Sequence, residues 1–424
     1  MGIGKQEKTV FGVLNKWEAL FIIAFSLICF ALASSAQGNI LAVLTLTVSL
    51  IFSLSKRRSL ALSSVVVAGP LMAQLSTGFL LILSYVPFLA ISLIRIFARK
   101  MDTKSFALYV CCLLIVFVSY IFGYKPDGVM LQLQIITMTV FYTIYASFER
   151  NQVPIVILGY ICSALIVFGL MSSGGFTSFT DNGRLSFGEH VKDLAFTCAI
   201  PMSFILVSFI GKKFLFSNMT KNYFKIIDGV LLALFLVIIL MTLARGVILA
   251  LAAGTALLLI LSRQGTKSII IFIVVASFVV YAFSYLESLD LFRTNRMMAY
   301  DEYVTGNGRM EIWTHHFKNM YEFGIQYILL GIGPGNISRI SNTDYYGHST
   351  ILDYYFSYGI IGLVTFLLIE LQVLKKLFRR CFNIPFVIVF TFILAYSTHG
   401  GAANISFFML QALMLASVKN TRKT

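Results

Sequence analysis

Long apolar runs separated by short polar breaks make up nearly all of the chain. A membrane-crossing helix takes about 20 apolar residues, and fourteen segments near that length can be marked off. They lie at about 18–36, 39–54, 59–75, 78–96, 105–123, 129–148, 152–171, 194–211, 226–244, 246–262, 268–286, 351–373, 384–398 and 403–418. The breaks are basic or turn-forming, as in Lys56-Arg57-Arg58, Ser76-Thr77-Gly78 and Tyr124-Lys125-Pro126-Asp127-Gly128. Two polar intervals are longer, at 172–193 and 287–350. The pattern predicts a single integral membrane domain over residues 1–424, an all-α polytopic membrane protein with 12–14 transmembrane helices. The lower count applies if the pair at 59–96 or the final pair re-enters the membrane instead of crossing it.

Composition agrees with this reading. The chain is 58% hydrophobic and only 12% charged, against about 25% charged residues in soluble proteins. No small-residue cleavage pattern follows the first apolar run, so no cleavable signal peptide is expected. No internal repeat, low-complexity tract or soluble domain stands out.

The formal charge of +15 could suggest a nucleic-acid partner, but its distribution points to topology. Basic residues collect on the cytoplasmic flanks of spans. With the N-terminus inside, 24 of the 33 Lys and Arg fall on the cytoplasmic side. Both termini are therefore expected in the cytoplasm, and no nucleic-acid partner is expected. The six cysteines show no zinc or iron–sulfur spacing and read as small core residues.

The residues that break the bias are informative. Seven sit in the two long outer loops: Arg184, Lys192, Arg293, Arg296, Arg309, Lys318 and Arg339. Arg245 interrupts an apolar stretch, at a place where an ionisable side chain is costly and usually functional or paired. A group of guanidiniums suits a diphosphate or another polyanion, because each presents planar bidentate donors to phosphate oxygens. Any one loop arginine could equally be a solvated surface residue.

Residues 306–362 hold three of the five histidines, one of the two tryptophans and the turn Gly331-Ile332-Gly333-Pro334-Gly335-Asn336. His348 opens the span at 351–373, at the expected membrane–water boundary. Its neutral imidazole could accept a proton from a hydroxyl, or it could simply cap the helix. Gly359 and Gly362 are three apart, which on a regular helix puts them on one face for close packing. His315 and His316 adjoin Trp313 on an expected loop helix, 309–321, where packing is the favoured role. The glycine turn lacks the Gly-Lys-Ser/Thr ending of a phosphate loop and reads as a tight turn returning the chain to the membrane. No His/Asp/Glu trio has metal-ligand spacing, and no acidic pair suited to a metal-bound nucleotide sugar is present. Neither metal nor cofactor is expected.

Four stretches, in order, resemble the O-antigen ligase/polymerase superfamily of bacterial envelope glycosyltransferases. His348-Ser349, Gly359 and Gly362 match that family's His-(Asn/Ser/Gln)-x9-Gly-x-x-Gly pattern. Gly308-Arg309 through Trp313 is similar to its Gly-Arg-x-x-x-Trp segment, with the glycine turn following. Thr242 to Gly246 resembles its Thr-x-Ser-Arg-Gly helix start, with Ala244 in place of the usual Ser. Arg184-Leu185-Ser186-Phe187-Gly188 looks like its shorter outer loop.

The resemblance implies a GT-C-like, metal-independent, inverting glycosyltransferase of the bacterial inner membrane, with its active site on the periplasmic side. The donor would be an oligosaccharide on undecaprenyl diphosphate. The acceptor would be a second lipid-linked glycan, for a Wzy-type polymerase of O-antigen or capsule units, or lipid A-core, for a WaaL-type ligase of lipopolysaccharide biosynthesis. Arg184, Arg245 and Arg309 would hold the diphosphate, and His348 would act as general base. Trp313, Asn336, Tyr345 and Tyr346 are candidate sugar contacts. A chain-length regulator is a further partner in the polymerase reading. His348-Ser349-Thr350 with Asp353 leans toward the polymerase, and the Arg184–Gly188 loop toward the ligase. A flippase or other transporter remains a separate class, although the two related halves common in transporters are not visible.

Overall fold

A computed structural model describes residues 15–55, 57–75, 78–98, 103–124, 127–172, 177–179, 185–187, 191–211, 223–242, 245–261, 309–336, 349–380 and 405–417. Ten helices follow one another through the first two-thirds of the chain. They are α1 (Lys16–Ser34), α2 (Gly38–Leu54), α3 (Arg58–Leu75), α4 (Gly78–Phe97), α5 (Thr103–Ile121), α6 (Gly128–Ser147), α7 (Val153–Ser172), α8 (Val191–Gly211), α9 (Tyr223–Met241) and α10 (Arg245–Leu261). Two helices of the large polar interval follow, α11 (Arg309–Phe323) and α12 (Ile325–Leu330). The long α13 (Thr350–Arg380) and α14 (Ile405–Ser417) complete the set.

Every apolar segment that falls on described residues is a helix. The expected segments at 268–286 and 384–398 lie outside those residues. Among the described residues, six helices are long and apolar enough to cross a membrane. They include both members of the pair at 59–96, which form two complete helices, Arg58–Leu75 and Phe79–Phe97. The chain is an all-α polytopic membrane protein.

The bundle is layered by composition. Residues 58–68 of α3 are buried without a break, as are most residues of α7 and α14. By contrast α1, α2 and the lower part of α13 present large apolar side chains outward, among them Leu27, Val43, Leu368 and Leu371. That outward face suits hydrocarbon, in which each backbone polar group must be paired internally. Hydroxyls in the helices follow the same rule: Ser26, Thr45 and Thr137 donate to the carbonyls of Ile22, Leu41 and Leu133 four residues back. Small residues let α3 and α7 approach closely. A Cβ added at Gly159 of α7 would lie 3.2 Å from the Ser63 carbonyl oxygen of α3, and the Ser63 hydroxyl donates to the Ile155 carbonyl at 2.9 Å.

Four of the cysteines (Cys29, Cys112, Cys162 and Cys198) are buried, as small core residues should be, while Cys111 is exposed. One element departs from the expected all-helical pattern. Between α7 and α8 the strands β1 (Thr177–Phe179) and β2 (Leu185–Phe187) pair antiparallel, with Ser178 opposite Ser186. Their connection includes Asp181-Asn182-Gly183, and Asn-Gly is the strongest short hairpin signal.

Candidate functional site

The N-terminal part of α13 is built around a break. The helix runs from Thr350 to Arg380, but Gly359 has φ 65° and ψ −164°, a region that is essentially glycine-only. The break frees the carbonyls of Phe356 and Ser357 from their helical partners. The glycine turn supplies replacements. The backbone N–H groups of Ile332 and Gly333 donate to those two carbonyls at 2.8 and 3.1 Å. In a lipid-embedded protein unpaired carbonyls are tolerated only when re-satisfied in this way.

Contact between turn and break is as close as backbones allow. A Cβ at Gly331 would lie 2.3 Å from the carbonyl carbon and oxygen of Ser357. One at Gly359 would lie 2.3 Å from the same atoms of Leu329. Gly331, Gly333 and Gly335 all have positive φ, at 78°, 87° and 82°, so the turn's three glycines are a conformational requirement. The reading of Gly359 and Gly362 as two glycines on one regular helical face is therefore corrected. Gly359 breaks the helix, and Gly362 lies where the Tyr358 Cβ passes, 2.0 Å from the position its own Cβ would take. Of the two, only Gly359 closely approaches another helix, α12, while the atoms nearest Gly362 belong to its own segment.

The turn also ties α13 to the first half of the bundle. The Ile332 carbonyl accepts from the Tyr124 N–H at 3.0 Å, just beyond the end of α5. A Cβ at Gly123 would meet the same carbonyl oxygen at 2.9 Å. Asp127 caps α6 through the N–H groups of Val129 and Met130, and its carboxylate lies beside Gly335. Asn336 closes the turn. It is fully buried, and its amide nitrogen donates to the Ile332 carbonyl at 2.8 Å. Asn336, a candidate sugar contact, thus serves here to lock the turn.

Above the break, residues 350–358 form a half-helix capped by Ser349, whose hydroxyl accepts from the Leu352 N–H at 3.5 Å. Serine is a favoured cap because its oxygen pairs an otherwise orphan donor. Asp353 sits in the first turn and is buried, a placement that the positive end of the helix dipole favours. His348 immediately precedes this cap in sequence and lies outside the described residues, as do Arg184, Tyr345 and Tyr346.

The expected loop helix at 309–321 is α11. It lies on the half-helix through Met320, Ile332 and Phe356. The buried ring of His316 packs on Phe356 with centroids 5.1 Å apart, and Phe317 meets the same ring at 5.1 Å. This is the packing role expected of His316, while His315 is exposed. Trp313 is half-buried on α11. Arg309 is the first residue of α11, and Arg245 the first of α10, which packs against α8 and α9. Strand β2, which begins one residue after Arg184, lies against α8.

Residues 230–367 match the family model described as O-antigen ligase. That stretch, about a third of the chain, is similar to the O-antigen ligase family. No curated protein matches the chain. The matched stretch runs from α9 through the break in α13 and includes Arg245, Arg309, His348, Gly359 and Gly362. The hairpin next to Arg184 lies outside it. The sequence reading treated Gly331-Ile332-Gly333-Pro334-Gly335-Asn336 as a simple returning turn and missed what Gly331 and Gly333 do. Their signal was present as three glycines alternating over five positions, a density that a simple turn does not need.

Proposed function

We propose that the chain transfers a glycan from undecaprenyl diphosphate to an acceptor hydroxyl on the periplasmic side of the bacterial inner membrane. The observation that carries this reading is the family match across residues 230–367, which takes in two of the three arginines and the histidine together. Two features of the fold support it. The broken helix presents a capped N-terminus directly after His348, and the docked turn fixes that end against α5 and α6.

In this account the His348 imidazole takes the proton of the acceptor hydroxyl as its oxygen attacks the anomeric carbon. The bond from that carbon to the diphosphate oxygen breaks, and undecaprenyl diphosphate leaves with the electron pair. A single displacement of this kind inverts the anomeric centre. Arg184, Arg245 and Arg309 grip the diphosphate and stabilise the charge that develops on the leaving group. The bidentate fork distinguishes arginine from lysine in that role. Trp313, with Tyr345 and Tyr346, would line the sugar side. The intervals 172–193 and 287–350 would be the periplasmic loops that close over the glycan, within a GT-C-like bundle.

Polymerisation of O-antigen or capsule repeat units is the first reading, on the His348-Ser349-Thr350 and Asp353 pattern. Ligation to lipid A-core is the second, because the matched family is described as O-antigen ligase and the Arg184–Gly188 loop leans the same way. A polysaccharide gel of a strain lacking the chain separates them. Core bearing a single repeat unit identifies a polymerase. Bare core, with lipid-linked polymer accumulating, identifies a ligase. Polymer of normal chemistry that fails to reach the surface would overturn both in favour of a transporter.

A further inference from the structure

A cavity lies far from the broken end of α13. It is bounded by α5, α6, α13 and α14 and holds about 510 Å³ of free space, counting its mouth. Lys376, at its rim, is 17 residues below the break, or about 25 Å along the helix. This end of the bundle gathers the start of α5, the end of α6 and the ends of α13 and α14. It is also the basic end in sequence: Lys375, Lys376, Arg379 and Arg380 close α13, and Lys419, Arg422 and Lys423 follow α14.

The lining is mostly apolar, with Ser105, Gln372 and three tyrosine hydroxyls, and Lys376 as its one cation. Leu108, Met138, Phe141 and Leu415 form apolar walls. Tyr109 and Tyr142, both lining the cavity, stack on each other with centroids 4.5 Å apart and planes at 8°, and the Tyr109 hydroxyl bonds Thr139 at 3.0 Å. At the rim the Lys376 ammonium donates to the Tyr145 hydroxyl and stands 4.4 Å over that ring. Ser105 donates to the same hydroxyl at 3.3 Å. An ammonium has three donors, and among the described residues Lys376 has no carboxylate partner. A cation held at the mouth of an apolar cavity near a membrane surface calls for an anionic head on an apolar tail. Basic pockets between helices at this kind of surface bind acidic lipid head groups.

We propose that this cavity binds one acidic phospholipid from the leaflet at the basic end of the bundle. The phosphate would rest on Lys376 and one acyl chain would lie between α5, α6 and α13. The site is independent of glycan transfer, so its test does not use activity. The purified full chain in detergent is titrated with phosphatidylglycerol or phosphatidylcholine, and bound lipid is counted by native mass spectrometry. One phosphatidylglycerol per chain is expected to persist, with at least about fivefold preference over phosphatidylcholine, as an anion-selective basic pocket requires. Lys376→Gln should abolish the preference and Lys376→Arg should keep it. Met138→Trp should fill the cavity and remove the bound lipid, with an unfolding midpoint confirming a folded chain. Equal retention of the two lipids by the wild type would overturn the proposal. So would an undiminished preference in Lys376→Gln, or full binding in a folded Met138→Trp. Inorganic phosphate that raises the midpoint as much as phosphatidylglycerol does would identify a free-phosphate site instead and would also overturn it.

Discussion

Gly359→Ala is the substitution that the geometry condemns most clearly. Three effects act together. A φ of 65° with ψ −164° costs a non-glycine residue about 1–3 kcal/mol. The new methyl would stand 2.3 Å from the carbonyl carbon and oxygen of Leu329, and both are backbone atoms of α12 with no rotamer to escape into. Overpacking of that kind costs about 1–3 kcal/mol. If α12 moves away to relieve it, the bonds from Ile332 and Gly333 to the freed carbonyls are strained or lost, at about 0.5–1.5 kcal/mol each. The terms overlap, and a combined loss near ~4 kcal/mol is expected, a large share of the roughly 5–15 kcal/mol that holds a typical domain folded.

Thermal unfolding of the purified chain in detergent, followed by fluorescence, reads this loss. Trp313 lies on α11, which packs on the affected half-helix, so it reports locally. Gly229→Ala is the control: it lies within α9, and a Cβ there meets nothing within 4 Å. Helix propensity favours alanine by about 1 kcal/mol, so that midpoint should hold or rise. Gly331→Ala attacks the same contact from the other side and should cost a comparable amount. Because the two sites share one interface, the double variant should lose less than the two single losses added together. A Gly359→Ala chain that melts with Gly229→Ala would refute the account of the break.

Two other expectations concern the bundle and its orientation. Gln411 of α14 donates to the Glu370 carboxylate of α13 at 2.7 Å, and both side chains are buried. Gln411→Leu should destabilise by about 1–3 kcal/mol through the orphaned acid, while Gln411→Leu with Glu370→Leu should recover most of the loss; a double variant as unstable as the single would contradict this pairing. Lys318 is largely exposed on α11 and sits 3.9 Å from Glu322. In intact cells Lys318→Cys should react with a thiol reagent that cannot cross the inner membrane, and labelling only after lysis would reverse the topology.

Much of the fold could be read from the sequence because a bilayer imposes one dominant rule. Apolar length fixed the helices, whose spans match the described elements. The pair at 59–96 shows the rule's reach, since the proline-containing helices α3 and α4 are both complete. The hairpin at 177–187 was legible only through Asn182-Gly183, because its two three-residue strands are too short to show a period. The break at Gly359 was not legible as a break. Sequence spacing assumes a continuous helix, and only the turn from residues 331–336, far away along the chain, makes a positive φ at Gly359 stable. The same dependence explains Asn336, a polar loop residue that looks available for sugar until the turn folds around it. His348, Arg184, Arg245 and Arg309 were singled out by charge and motif, which mark chemistry without fixing where side chains point.

The most direct test of glycan transfer is complementation of a strain lacking the chain with His348→Ala, at matched membrane insertion, read on a polysaccharide gel. The account predicts that the variant fails like the deletion, while the wild type restores normal polymer. Polymer of normal amount and length made by an inserted His348→Ala chain would contradict the assignment of the base and, with it, the proposed chemistry.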